Sequence, residues 1–125
     1  MKLVCRLKSK IHLATITDAR EDYIGSLAID QDAMQASGIE PGEYIHVWVV
    51  ESGERFSTYA IPAPSGSGAF AVYGAAAHKA RRGQKVIIAA FTWTDEKVDP
   101  QMILMDDDNK IAQRLPFIAQ PVPSR

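Results

Sequence analysis

The sequence predicts a mainly β protein, arranged as a small barrel with short helices. Two observations support this prediction. Apolar and β-branched residues recur in several short runs that have the length of strands. The segments with helical character are fewer and much shorter than a typical helix. Many short strands combined with one or two helical turns are typical of small barrels.

The first strands are predicted from alternation and from β-branched composition. Residues 11–17 and 44–50 both have this character. A Gly53 turn separates the second run from residues 55–61, so we expect a hairpin there. Alternation along residues 55–61 predicts two faces, one with Arg55, Ser57 and Tyr59 and the other with Phe56, Thr58 and Ala60.

The C-terminal half adds three more predicted strands. Residues 85–94 form a long apolar, β-branched run, and residues 102–105 form a short one. An acidic turn at residues 106–109 follows, and a last strand is expected near Ile111.

Two short helices are predicted. Residues 30–38 begin with Asp30, which is suited to an N-cap, and end with Gly38, which is suited to a helix stop. Pro41 and Gly42 then turn the chain. Residues 74–80 predict a second helix, which residues 81–83 would end.

Length and composition favour one domain. The 125 residues are 46% hydrophobic, and we assign residues 1–115 to a single domain and residues 116–125 to a loosely held tail. The net charge of -1 disfavours binding to nucleic acid. Cys5 is the only cysteine, which excludes an intrachain disulfide and favours a reducing, cytoplasmic setting. No apolar run approaches the ~18 residues of a membrane span, so we expect a soluble protein.

No metal site is expected. His12, His46 and His78 are widely spaced and lie in no recognised ligand pattern, and a structural imidazole is the better interpretation of His46. The acidic turn lacks the glycine and distant glutamate of a calcium loop. Residues 66–68 lack the lysine and helix of a phosphate-binding loop.

Five sequence blocks, weak when taken singly, form a recognisable set in this order. They are residues 8–12, 23–26, 28–32, 55–61 and 74–78. Together they resemble the pyruvoyl-dependent aspartate 1-decarboxylases, and the resemblance runs from about Lys8 through Leu115. It implies a six-stranded double-psi β-barrel and a homotetramer with active sites between subunits. It also implies a pathway role, in which β-alanine made from aspartate enters pantothenate and coenzyme A synthesis.

The resemblance also implies self-cleavage between Gly25 and Ser26, giving chains 1–25 and 26–125. The chemistry suits these residues, because a serine hydroxyl can attack the preceding carbonyl and glycine has no Cβ to obstruct it. Ser26 would then become an N-terminal pyruvoyl group, which forms a Schiff base with the substrate amine and draws electrons as pyridoxal phosphate does. Neither bound pyridoxal phosphate nor metal is expected. Part of the family also requires an accessory maturation protein.

The family's site residues map onto this chain by position. The resemblance implies that Ser26 and Gly25 form the cleaved bond, that Thr58 stabilises the oxyanion, and that Tyr59 donates a proton to the substrate carbon. Arg55 and Lys10 bind carboxylates, and an arginine suits such a clamp because it donates in a bidentate manner. The remaining mapped positions, which border the substrate, are Trp48, Tyr23, Tyr73, Gly74, Ala75 and Ala76. For Trp48, core packing explains the aromatic ring equally well.

Three positions depart from the family pattern. Tyr73 stands where the family usually has asparagine, Leu13 where it usually has arginine, and Val50 near a position that is often polar. A phenol in place of an amide changes both the volume and the hydrogen-bond donors of a pocket. This leaves two alternatives open: the same chemistry on a modified aspartate such as 3-methylaspartate, and an uncleaved barrel with a binding or structural role.

Overall fold

A computed structural model describes residues 1–117 and shows a mainly β chain, which confirms the predicted fold class. Nine strands are present: β1 (Val4–Thr15), β2 (Asp18–Arg20), β3 (Ser26–Asp30), β4 (Tyr44–Val49), β5 (Arg55–Ala63), β6 (Phe70–Tyr73), β7 (Lys85–Thr94), β8 (Gln101–Met105) and β9 (Ile111–Leu115). One α-helix, α1 (Gln31–Ser37), and a 3₁₀ helix (Gly74–His78) complete the fold. The predicted tail lies mostly outside the described residues.

The strands pair in the order β2-β6-β3-β5-β4-β7-β1-β8-β9. Three of these pairs are parallel, namely β1 with β8, β2 with β6 and β3 with β5. The count of nine differs from the expected six, and β2 and β9, at the two ends of the order, do not pair with each other in the described residues. The sheet curls around one large apolar core drawn from β1, β3 to β8 and α1, which is consistent with a barrel-like fold.

All six predicted strands are confirmed, with small shifts in their ends, and the helix predicted over residues 74–80 is present as the 3₁₀ helix Gly74–His78. β1 begins seven residues before the predicted start at Ile11, and β7 has the predicted bounds of 85–94. The faces of β5 alternate as expected: Arg55, Ser57 and Tyr59 are exposed, whereas Phe56 and Thr58 are half-buried and Ala60 is fully buried.

The helix caps also follow the predicted pattern. Asp30 accepts a hydrogen bond from the Asp32 amide at the start of α1, and Gly38 ends the helix with a φ of 75°. Lys8 then holds this end, since its Nζ donates to the Gly38 carbonyl and forms an ion pair with Glu43 at 3.0 Å.

The loop before β9 is fixed by Asn109, which lies in the acidic turn and has a φ of 55°. Its side chain accepts from the Thr15 amide and donates to the carbonyls of Thr15 and Gly68, each at 2.8 Å. Asn109 is 4% exposed, so these bonds tie three segments together inside the fold. No helix of the described residues is long and apolar enough to cross a membrane.

Candidate active site

Ser26 is the first residue of β3 and is only 2% exposed. In the antiparallel pair of β3 and β6 it lies directly opposite Tyr73. Direct partners in such a pair project from the same face of the sheet, with Cβ atoms about 5 Å apart. The Tyr73 side chain therefore lies beside that of Ser26.

The other neighbour of Ser26 comes from β5. The parallel pair of β3 and β5 matches Leu27 with Ala60, so counting back one residue on each strand aligns Ser26 with Tyr59. Gly25 lies just before β3, and Thr58 lies two residues before Ala60, the β5 residue at which the ladder begins. Neighbouring strands lie about 4.8 Å apart. Ser26 thus lies directly opposite Tyr73 on one side, and on the other side Tyr59 immediately precedes the β5 residue at which the ladder with β3 begins.

Gly25 lies against a second glycine. Gly74 has a φ of 80°, and a Cβ added there would come 2.5 Å from the Gly25 Cα and 2.9 Å from the Gly25 nitrogen. Both contacts are with backbone, which cannot rotate away. Only a glycine at position 74 lets the 3₁₀ helix approach the Gly25–Ser26 bond so closely. Ala75, which is exposed, and Ala76, which packs on the core, follow Gly74 in that helix.

The loop before Gly25 is held by side chains from two directions. The Tyr23 ring stacks on the Tyr73 ring with centroids 5.2 Å apart and an interplanar angle of 29°. His78 Nε2 lies 3.2 Å from Glu21 Oε2, which connects the loop to the 3₁₀ helix. Residues 21–25 contain no strand, so the loop depends on contacts such as these for its position.

Arg55 and Trp48 form a second group. They are cross-strand partners of β4 and β5, and the Arg55 guanidinium lies 4.9 Å from the centroid of the Trp48 ring. None of the ion pairs found in residues 1–117 involves Arg55. Arg55 and Trp48 line an open cleft of about 520 Å³, together with Cys5, His46, Phe56, Ser57 and Phe91.

Lys10 lies apart from both groups. It is on β1, which is separated from β5 by β7 and β4, and it lines a different cleft of about 410 Å³ with His12, Leu13, Met102, Leu104 and Leu115. Burial and then the nearby charge of Lys10 lower the pKa of His12 below its ordinary value. Leu13 has a φ of 62°, where the β1 and β7 register shifts.

The structure thus places the expected site residues in three locations on one chain. The first location contains the residues of the expected cleavage site and their neighbours, Tyr23, Gly25, Ser26, Thr58, Tyr59, Tyr73 and Gly74. The second contains Arg55 and Trp48. The third contains Lys10, with no other expected site residue. His46, for which a structural role was expected, lines the Arg55 cleft with its ring edge-on to Tyr44 and Phe91. Sequence reasoning missed Phe91, because nothing in the alternation of β7 marks it out. Within residues 1–117, no group of three or more His, Cys, Asp and Glu side chains could hold a metal ion.

Comparison with known proteins places this arrangement in one family. The model of the aspartate decarboxylase family matches residues 2–112. An aspartate 1-decarboxylase of Burkholderia lata is 49% identical over 110 residues, which cover 84% of this chain and 86% of the relative. Aspartate 1-decarboxylases of Burkholderia mallei and Burkholderia pseudomallei are 47% identical over the same shares of the two chains. The chain therefore belongs to the aspartate decarboxylase family, and it is an enzyme of the carboxy-lyase class.

Proposed function

We propose that this chain is the precursor of a pyruvoyl-dependent aspartate 1-decarboxylase. It cuts itself between Gly25 and Ser26 and then converts L-aspartate into β-alanine and carbon dioxide. The observation that carries the proposal is the close contact of Gly25 with Gly74 beside a buried Ser26. An ordinary surface turn needs neither a glycine pair in backbone contact nor a buried serine.

The cut is possible because the Ser26 hydroxyl directly follows the Gly25 carbonyl in the chain. Ser26 Oγ attacks the Gly25 carbonyl carbon, the Gly25–Ser26 C–N bond breaks, and an ester replaces the amide. Gly25 and Thr58 each lie two residues before the first partners of the β3 and β5 ladder, Leu27 and Ala60, and a hydroxyl near this point suits stabilisation of the oxyanion of this step. An oxyanion donor of this kind typically contributes about 3 kcal/mol.

The ester then breaks by elimination. The Ser26 Cα loses its proton, the bond from Cβ to the ester oxygen breaks, and Gly25 leaves as a carboxylate. One water molecule replaces the nitrogen of the resulting dehydroalanine, and ammonia is released. Chain 26–125 then begins with a pyruvoyl group. The surroundings fit this group, since Ser26 is screened from water and Gly25 brings no Cβ into the site.

Decarboxylation requires an electron sink, a carboxylate anchor and a proton donor. The pyruvoyl carbonyl supplies the sink when it is formed. Arg55, which one chain holds in a group apart from Ser26, would supply the anchor in a site shared between subunits, because its guanidinium is unpaired within residues 1–117 and lies over the Trp48 ring. Tyr59 supplies the proton, since it is the lateral neighbour of Ser26 and is 40% exposed, within reach of a substrate.

Assembly as a homotetramer would bring Lys10 into the site. Three strand intervals separate Lys10 from β5, which is about 14 Å along the sheet, so one chain does not place it beside Ser26. A site shared between subunits would unite the two. Co-expression of the Ser26→Ala and Lys10→Ala chains tests this, because mixed assemblies should regain activity that neither variant has alone. Absence of regained activity in a mixed assembly would contradict the shared site.

The decisive experiment is the intact mass of the purified chain. We expect two products, 1–25 and 26–125, with the second carrying the mass of a pyruvoyl group in place of serine. Ser26→Ala should stay uncut and inactive, because no hydroxyl remains to attack Gly25. Ser67→Ala is the matched control, since Gly66–Ser67 is a second glycine-serine pair in an exposed loop. A cut Ser26→Ala chain, or an uncut wild-type chain without activity, would refute the proposal.

Arg55→Ala tests the carboxylate anchor separately from the cut. Cleavage should be retained, and kcat/KM for aspartate should fall by roughly tenfold to a hundredfold or more, since a charge-assisted contact of ~1.5 to 3 kcal/mol is lost. Carbon dioxide release measures the loss. Unchanged kinetics would place the carboxylate elsewhere.

Tyr73 favours a second candidate, decarboxylation of a modified aspartate such as 3-methylaspartate by the same chemistry. Its ring lies where the family usually has an amide, directly beside Ser26. One methyl group in a fitted pocket is worth ~1 to 3 kcal/mol, so the two substrates should differ measurably in kcat/KM. A higher value for 3-methylaspartate would decide in favour of the second candidate.

A further inference from the structure

A charged side chain outside the expected site continues the aromatic stack beside Ser26. The Arg20 guanidinium lies 5.6 Å from the centroid of the Tyr23 ring, and Tyr23 in turn stacks on Tyr73. Arg20 is itself held, because its Nε donates to Asp18 Oδ2 at 2.9 Å. The order of contacts is thus Asp18, Arg20, Tyr23 and Tyr73, and it ends next to Ser26.

Strand pairing fixes the backbone of Arg20 relative to Tyr73 and Ser26. Arg20 is paired with Tyr73 in the parallel ladder of β2 and β6, while Tyr73 is paired with Ser26 in the antiparallel ladder of β6 and β3. Arg20 is therefore fixed two strands from Ser26. Tyr23, by contrast, lies in a loop without ladder hydrogen bonds and is 49% exposed, so its ring depends on side-chain contacts for its position.

We propose that Arg20 is a positioning residue of the active site, which holds Tyr23 against Tyr73 and so fixes the aromatic wall beside the reacting group. The inference rests on the proposed function, since the wall borders the group derived from Ser26. Arg20 touches neither that group nor the substrate in this arrangement. It acts on substrate choice by restricting the space that the Tyr73 ring leaves free.

An arginine suits this task better than a lysine. Its planar guanidinium can stack on a ring while its Nε donates sideways to a carboxylate, whereas an ammonium offers no plane to stack. Arg20→Lys should thus keep the ion pair with Asp18 and lose part of the stacking. Arg20→Leu should lose both. Arg81→Leu is the matched control, because Arg81 is an exposed arginine whose side chain forms no ion pair within the described residues.

The functional test is the ratio of kcat/KM for aspartate to that for 3-methylaspartate. We expect Arg20→Leu to change this ratio about twofold to fivefold, the range that a cation–π contact at an exposed site provides. Arg20→Lys should lie between Arg20→Leu and wild type, and Arg81→Leu should match wild type. A ratio that is unchanged in Arg20→Leu would overturn the role in substrate choice.

A spectroscopic test separates this inference from the proposed function. The chain has four tyrosines, so fluorotyrosine labelling gives few resonances to assign by single Tyr→Phe changes. In the uncut Ser26→Ala chain, Arg20→Leu should shift the fluorine resonances of Tyr23 and Tyr73 and leave that of Tyr44 in place. Unmoved Tyr23 and Tyr73 resonances would overturn the positioning role, whether or not wild type cuts itself.

If Arg20→Leu does not fold, Arg20→Lys carries the same comparison. If wild type is uncut and inactive, the proposed function fails and the resonances still decide the role of Arg20.

Discussion

The contact between Gly74 and Gly25 predicts that one added methyl group at position 74 prevents the proposed cut between Gly25 and Ser26. In Gly74→Ala the new Cβ would lie 2.5 Å from the Gly25 Cα and 2.9 Å from its nitrogen. Neither atom belongs to a side chain that could turn aside. The 3₁₀ helix and the loop must move apart, and the Gly25 carbonyl then leaves the position from which Ser26 can attack it.

The loss of folding free energy in Gly74→Ala has two parts, which a control variant can separate. Alanine at a φ of 80° costs about 1 to 2 kcal/mol, because its Cβ crowds the backbone in the left-handed region. Overpacking against Gly25 adds about 1 to 3 kcal/mol. Gly42→Ala carries the first cost alone, since Gly42 has a φ of 82° and its added Cβ would have no neighbour within 4 Å.

Urea unfolding in the Ser26→Ala background measures both costs without interference from the cut. We expect Gly74→Ala to lose about 2 to 5 kcal/mol and Gly42→Ala about 1 to 2 kcal/mol. In the chain with Ser26 intact, intact mass over time should show slow or absent cleavage for Gly74→Ala and ordinary cleavage for Gly42→Ala. Equal stability loss and equal cleavage in the two variants would refute the reasoning.

Three further predictions follow from buried or charged groups. Asn109→Ala should lower the free energy of unfolding by about 2 to 4 kcal/mol, since one buried and two partly buried hydrogen bonds are lost, and a urea midpoint near wild type would contradict this. Burial opposes the charge of Asp30, but three backbone amides donate to its carboxylate and lower its pKa. Its stabilisation is therefore present above the ordinary carboxyl pKa of about 3.8 and is lost as the pH falls through its depressed folded pKa, so the stability difference between wild type and Asp30→Asn should shrink there. Lys10→Met should raise the pKa of His12 in an NMR titration, because one of the two causes that lower it is removed, and an unmoved titration would exclude that cause.

The sequence predicted correctly the features that depend only on neighbouring residues in the chain. The caps of α1 depend on Asp30 and Gly38 alone, and the two faces of β5 follow from simple alternation. β3 was missed because all five of its residues are buried, so it lies covered on both faces and shows no alternation. β2 and β6, with three and four residues, are too short for a period to appear.

The site depended on register, which no local pattern contains. Resemblance named Ser26, Tyr59 and Tyr73, but only the pairing of β3 with both β5 and β6 brings their strands side by side and sets Ser26 opposite Tyr73. These partners are more than thirty residues apart in sequence. Arg20 was missed for the same reason, since its relation to Tyr73 runs through a three-residue strand.

The position of β1 inside the sheet affects how the protein can refold after the cut. β1 lies between β7 and β8 and belongs entirely to chain 1–25, so a cut at Gly25–Ser26 would leave a central strand on a separate polypeptide. Before the cut, folding is a first-order event within one molecule. After it, recovery from unfolding would require two different chains to meet, and the midpoint of unfolding would rise with protein concentration. The precursor would refold from urea. The cut enzyme, once unfolded and diluted, would not refold, because its two chains would no longer meet.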